Sequence, residues 1–287
     1  MGVYFNKKRT LRQYAGLMKY FVKRFFVSLP YRITARKRKL PDFLIIGAMK
    51  GGTSSLYDWI GKHPDVALSR EQEVHFFSVY YRRGLNYYRS FFPKKSTGKF
   101  TGESSPYYLY HPLVPERVKK DVPKAKIIVV LRDPVLRAYS HYQMHKGIDV
   151  SKNFDEALQN ESDRVASAHE RFLEGKDGRS TSHQAYSYIA RGQYHEQLSR
   201  WLQHYSIDEL LVLKSETLFE QPKETMQRIF QFLGLRDFDI PELQPVNQRG
   251  YQALSEEDYD KYAVHFREDG RKLAELLGPE FKWKCTS

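Results

Sequence analysis

The chain has 287 residues, 41% of them hydrophobic and 15% aromatic, which is enough apolar surface to offset chain entropy and excludes wholesale disorder. Its single cysteine, Cys285, excludes an internal disulfide framework and a cysteine-rich zinc site, and no uncharged apolar run reaches the roughly 18 residues of an ordinary membrane span. The net charge of +13 is concentrated: residues 1–40 hold 12 Lys and Arg and no Asp or Glu, whereas residues 41–287 hold 35 against 34. The basicity therefore describes a leader and says little about the active surface.

In that leader, Leu11, Tyr14, Ala15, Met18, Phe21, Val22, Phe25 and Leu29 recur at spacings of three and four, one face of a helix. Arg12, Lys19, Lys23 and Arg24 lie largely elsewhere on the wheel, Pro30 ends the pattern, and Arg36-Lys37-Arg38-Lys39 follows. Such a face suits the headgroup layer of an anionic membrane, where each Lys or Arg is worth about 1 kcal/mol. It equally suits docking on the protein's own body or on a second subunit. Nucleic acid is not an expected partner. Charges interrupt every candidate secretory core, and Asn6 stands where a myristoylation signal needs Ser or Thr. The expected location is cytoplasmic, with the inner membrane face as the site of attachment if the leader binds lipid.

The body is expected to start at Pro41 and run as one unit, 41–287. Phe43–Ile46 reads as a buried parallel strand, followed by a helix from Thr53 to about Lys62. Short strands are expected at 66–68 and 99–103, and the strongest at Ile127–Leu131, rich in β-branched residues. A helix follows from Pro134; helical patterns dominate 154–174 and 184–204; a strand is expected at 210–213 and a helix at 222–234. Ser255-Glu256-Glu257-Asp258 opens a last helix running to about Leu277. Alternating strands and helices predict an α/β fold with a central parallel sheet flanked by helices, its ligands beyond the carboxyl ends of the strands.

The loop after the first strand reads Gly47-Ala48-Met49-Lys50-Gly51-Gly52-Thr53-Ser54-Ser55. Glycines let backbone N–H groups approach an anion, a helix N-terminus adds partial positive charge, and Lys50 adds a full one. An ordinary tight turn is the plainer alternative. The nucleotide-triphosphatase loop has its Lys directly before Ser or Thr, whereas Lys50 here precedes two glycines.

The stretch from Pro41 to Leu56 resembles the 5′-phosphosulfate-binding loop of the sulfotransferases that use 3′-phosphoadenosine 5′-phosphosulfate (PAPS). The resemblance implies a single α/β domain related to nucleotide kinases. It also implies that Lys50, Gly51, Gly52, Thr53 and Ser54 line the 5′ side of the cofactor, with Lys50 at the bridging oxygen of the breaking bond.

The run Arg132-Asp133-Pro134 to Ser140-His141-Tyr142 places an Arg at a strand's carboxyl end and a Ser two turns into the next helix. Both can face one phosphate, each charge-assisted hydrogen bond contributing about 1.5–3 kcal/mol. A salt bridge with Asp133 and simple helix packing are the alternatives. The string resembles the family's 3′-phosphate motif, which implies Arg132 and Ser140 as ligands.

Glu71-Gln72-Glu73-Val74-His75-Phe76-Phe77-Ser78 is similar to the Glu-x-His-Phe-Phe signature of the carbohydrate sulfotransferases, the heparan sulfate group especially. It implies Glu73 as the base for the acceptor hydroxyl and His75 as its auxiliary. Burial beside Phe76 and Phe77 is expected to raise the pKa of Glu73. Without the family, a solvated loop charge and a structural histidine fit as well. Heparan sulfate enzymes usually carry Lys at the position of Ser104, so an acceptor as acidic as heparan sulfate is not implied. Gly192-Gln193-Tyr194 through Trp201-Leu202 resembles a further family segment, and Asn247–Tyr251 loosely resembles its basic closing loop; these imply Tyr194 and Arg249 as cofactor ligands.

The expected function is transfer of the sulfuryl group from PAPS to an acceptor hydroxyl, of a carbohydrate or glycolipid, without a metal. The alternatives are a Mg²⁺-dependent nucleotide kinase or ATPase and a non-enzymatic membrane adaptor.

Overall fold

Four short apolar runs set the frame. In the computed structural model, which describes residues 31–176, 178–246 and 250–286, they form β1 (Phe43–Gly47), β2 (Gly102–Ser104), β3 (Lys126–Leu131) and β4 (Leu210–Lys214). All pair in parallel, in the order β2-β1-β3-β4, with Leu44 opposite Glu103 and Ile127.

The strands are buried on both faces, as parallel strands between helices must be. Leu44, Ile46, Ile127, Val129, Leu131, Leu210 and Val212 face one core, shared with Val135, Ala138 and Tyr142 of a following helix. Phe43, Ile45, Ile128, Val130, Leu211 and Leu213 face the other, shared with Leu56, Trp59, Ile60, Met226, Ile229 and Phe230. The alternation splits neighbouring residues of each strand between two apolar layers.

The principal helices are α1 (Thr53–Gly61), α2 (Val114–Asp121), α3 (Pro134–His145), α4 (Glu161–Leu173), α5 (Tyr194–Leu202), α6 (Pro222–Leu233), α7 (Glu256–Ala263) and α8 (Arg267–Leu277). Local signals fix several ends. Asp133 caps α3 by accepting from Leu136 N–H at 3.0 Å, and Ser255 caps α7 by accepting from Asp258 N–H at 3.0 Å. Gly234 ends α6 in the left-handed region, φ 74°.

Four expectations change. The helical pattern expected at 184–204 becomes a continuous helix only at Tyr194–Leu202, after a turn at Ala190–Gly192 that buries Arg191. Residues 66–68 form no strand; Val66 alone bridges Phe100, and no second residue completes a reciprocal pair. The strand expected at 99–103 is shorter and later, Gly102–Ser104. The last helix is two helices, because the chain turns at 264–266 to bury Phe266 in the core.

The described end of the basic leader is packed on the body. Arg38 is buried, donates to Phe92 O at 2.7 Å, and its carbonyl accepts from Arg89 at 2.9 Å. Part of the second basic cluster is therefore structural. The amphipathic pattern at 11–29 lies outside the described residues, as does Arg249.

Candidate active site

Three loops meet at the carboxyl ends of β1, β2 and β3. The first is the turn between β1 and α1. Gly52 stands before α1 at φ 97° and Lys50 at φ 72°, so the chain reverses through the left-handed region twice within three residues. Gly51 admits no side chain: a Cβ there would lie 2.5 Å from Val130 O and 3.0 Å from Ala48 O, both backbone atoms. The turn is thus pressed against β3. No side chain caps α1 and its first turn holds no acidic residue, so its leading N–H groups and Lys50 present an anion-binding end. Thr53 is buried and Ser54 half-buried in that first turn.

The second loop follows β3. Arg132 donates from Nη1 to Lys50 O at 3.3 Å. It makes no ion pair with Asp133, whose carboxylate is used instead by Leu136 N–H and by Tyr259 Oη–H at 2.5 Å. Asp133 N–H in turn donates to Glu216 Oε1 at 3.0 Å, tying this loop to the end of β4. Ser140, one helical face further on, lines a cavity of about 130 Å³ together with Lys50, Gln143, Met144, Gly250 and Tyr251. The two phosphate-type motifs, eighty residues apart in the chain, therefore share a cleft.

Tyr194 is brought to this loop from behind. It is buried, and its hydroxyl donates to Arg132 O at 2.9 Å. Its observed partner is the main chain that carries Arg132. The segment leading to Arg249 crosses α1: Val246 N–H donates to Ser55 Oγ at 2.8 Å and Trp59 Nε1–H to Gln244 O at 3.0 Å. Gly250 and Tyr251, on its far side, border the cavity.

The third loop carries Glu73 and His75. Glu73 N–H donates to Ser104 O at 2.9 Å, docking the loop on the end of β2, one strand away from the Lys50 turn. His75 N–H donates to Ser105 Oγ at 3.1 Å, and Ser105 Oγ–H to Glu103 Oε2 at 2.7 Å. Glu103 is fully buried and also accepts from Tyr88 at 2.7 Å and Tyr108 at 2.9 Å. Burial raises its pKa against those three hydroxyls. A turn of π-helix, Phe76–Tyr80, then buries Phe76 and Phe77.

His75 Nε2 lies 3.2 Å from Glu73 Oε2, and the Glu73 side chain keeps 48% exposure. The expected rise in the Glu73 pKa does not occur. Burial does push it up, but opposing contributions, the hydrogen bond and charge of His75 foremost and Arg191 a smaller one, leave it below the ordinary value. Phe76 and Phe77 point into the core and leave the carboxylate at the cleft mouth.

Lys50, Glu73 and His75 share one further property. They are the only non-glycine residues at positive φ among the described residues, at 72°, 57° and 54°. Strain of this kind costs roughly 1–3 kcal/mol per residue and clusters where function requires it. Two residues near the site carried no sequence signal: buried Arg191, and Glu103, whose hydroxyl cage is apparent only in three dimensions.

Comparisons with known proteins give the family. A family model described as "Sulfotransferase domain" matches residues 40–268. The chain belongs to the sulfotransferase family. It is 24% identical over 314 residues to the membrane-associated sulfotransferase kil1 of Dictyostelium discoideum, covering 85% of this chain and 67% of that one. It is 33% identical over 209 residues to human heparan sulfate glucosamine 3-O-sulfotransferase 6, covering 73% of this chain and 56% of the relative. The chain thus spans little more than half the length of that heparan sulfate relative. Among solved structures, a sulfotransferase from Alicyclobacillus acidocaldarius aligns with a TM-score of 0.65 at 25% identity, covering 83% of this chain and 96% of that one. This sulfotransferase is accordingly an enzyme with the fold of its family, and the kinase and adaptor alternatives fall away. Among the described residues, no helix is long and apolar enough to cross a membrane.

Proposed function

We propose that this sulfotransferase uses PAPS as donor and a hydroxyl of a carbohydrate or glycolipid as acceptor. The observation that carries the reading is the convergence of the three strained residues, Lys50, Glu73 and His75, on adjoining strand ends, with Arg132 and Ser140 beside Lys50.

The residues present fit the donor. Lys50, Gly51, Gly52, Thr53 and Ser54 form an uncapped helix start free of acidic residues, which suits the 5′ side; Arg132 and Ser140 suit the 3′-phosphate, with Tyr194 supporting Arg132. Arg249 is proposed as a further ligand from the segment that ends at Gly250. When bound, the donor supplies an activated sulfuryl group whose sulfur–oxygen bond to phosphate breaks as a bond to the acceptor oxygen forms. Glu73 takes the acceptor proton and His75 orients it at 3.2 Å. Lys50 and the N–H groups of α1 neutralise the leaving phosphate, a fixed electrostatic contribution. Lys and Arg supply the positive charge for which a kinase would use a metal.

The relatives named for heparan sulfate support a carbohydrate acceptor, and Ser104 at the end of β2 supports one less acidic than heparan sulfate. The body is proposed as residues 41–287 and the leader as 1–40, cytoplasmic and peripheral at the inner membrane face. The test of the chemistry is a radiolabelled-sulfate transfer screen over saccharide, lipid and phenolic acceptors, with label expected on a saccharide or glycolipid. The test of the leader is a full-length variant with Arg12, Lys19, Lys23 and Arg24 changed to Gln. It should lose binding to anionic liposomes and keep transfer activity; unchanged pelleting would rule the membrane role out.

A further inference from the structure

Arg191 lies in the turn Ala190–Gly192 and is 3% exposed. The turn is fixed by Glu161 of α4, whose buried carboxylate accepts from Ile189 N–H at 2.6 Å and Ala190 N–H at 2.8 Å. From that anchor the Arg191 side chain reaches two walls of the site. Nη1 lies 3.0 Å from Met49 Sδ, in the residue before Lys50, and Nη2 donates to Gln184 O at 2.9 Å. The guanidinium stands 4.8 Å from the Tyr107 ring centroid, and the Tyr107 ring meets the His75 ring edge-on at 6.3 Å. One buried cation thus touches the donor loop on one side and the aromatic support of the base loop on the other.

We propose that Arg191 is a positioning residue of the transfer site, a fixed cation set between the donor loop at Met49 and Tyr107, the aromatic neighbour of His75, from where it serves the Glu73 carboxylate electrostatically. This rests on the reading of Glu73 as the base. Among the described residues, the charges acting on Glu73 include His75 from its own loop, the larger, and Arg191 from the turn before α5, the smaller. Three histidines near Arg191 do not add charge: burial lowers His111 to about 3, His183 to about 2 and His141 well below its usual value, so all three are neutral at pH 7, and burial lowers His145 too. Arg137 of α3 is the other buried cation of this cluster, and its side chain donates to Tyr188 O. A guanidinium is suited to this place because its charge persists under burial.

The test is a pH titration of full-length protein labelled with carboxyl-¹³C glutamate, the Glu73 resonance assigned by its absence in E73Q. In R191M the Glu73 midpoint should rise, because a charge that lowers it has been removed. R191K keeps the charge, so its midpoint should stay at the wild-type position, which also serves should R191M fail to fold. A wild-type midpoint in folded R191M, or a raised midpoint in R191K, would overturn the inference. Sulfuryl transfer by E73Q separates this from the reading beneath it: full activity there removes the base assignment, whereas lost activity with an unmoved R191M midpoint removes Arg191 alone.

Discussion

The guanidinium of Arg132 donates to the main-chain oxygen of Lys50 at 3.3 Å, across eighty-two residues of sequence. The bond ties the end of β3 to the strained turn after β1, so the proposed 3′ and 5′ ends of the donor site are held by one contact. Asp133 leaves Arg132 available for it, because the Asp133 carboxylate is occupied by Leu136 N–H and Tyr259 Oη–H.

Lys50 is the first residue to change. Lys50→Ala should lower kcat by about 10²–10³-fold, the usual cost of removing one preorganised donor at developing charge. Thermal stability should be kept, since Ala relieves no worse a backbone than Lys at φ 72°. Sulfate-transfer kinetics beside a melting curve check both halves.

Glu73 sets the acid side of the pH profile. Its pKa lies below the ordinary 4.5, so the carboxylate is in its proton-accepting form throughout the neutral range. Activity should be lost only as pH falls through that lowered value. His75→Phe removes the opposing hydrogen bond and charge while the upward push of burial stays, so the acidic limb should move up. Glu73→Gln should cost about 10²–10⁴-fold in kcat. Rate–pH profiles of the three proteins decide this.

Gly51→Ala tests the turn itself. The added methyl would meet Val130 O and Ala48 O, backbone atoms that cannot swing aside, at 2.5 and 3.0 Å. A loss of about 1–3 kcal/mol of stability is expected, together with weakened donor binding, readable by denaturant melts and by titration with adenosine 3′,5′-bisphosphate.

Tyr194→Phe removes one buried hydrogen bond to Arg132 O. The expected cost is about 1 kcal/mol in stability, since the carbonyl loses its donor. If Tyr194 acts only as a support, donor affinity should fall a few-fold and no more, which calorimetry measures.

Much of this was legible in the sequence because it is local. The β-branched run Ile127–Leu131, the Gly-Gly turn before Thr53, the caps at Asp133 and Ser255 and the stop at Gly234 each depend on residues within a few positions. The direction of the Glu73 pKa was not legible. It depends on whether Phe76 and Phe77 turn toward the carboxylate or into the core, and on Arg191, more than a hundred residues away. The break in the last helix was hidden because α7 and α8 are each amphipathic, and only the burial of Phe266 separates them. Tyr194 was visible as a family position, but its partner, a main-chain carbonyl, has no sequence signature.

The central claim is that the Lys50 turn and Arg132 grip opposite ends of one doubly phosphorylated adenosine. Titration calorimetry with adenosine 3′,5′-bisphosphate in the presence of EDTA tests it most directly. One site per chain is predicted for the wild type, weakened by about 10-fold or more in Arg132→Ala, in keeping with the loss of one charge-assisted hydrogen bond. Wild-type affinity in Arg132→Ala, or binding that appears only with ATP and Mg²⁺, would contradict the account.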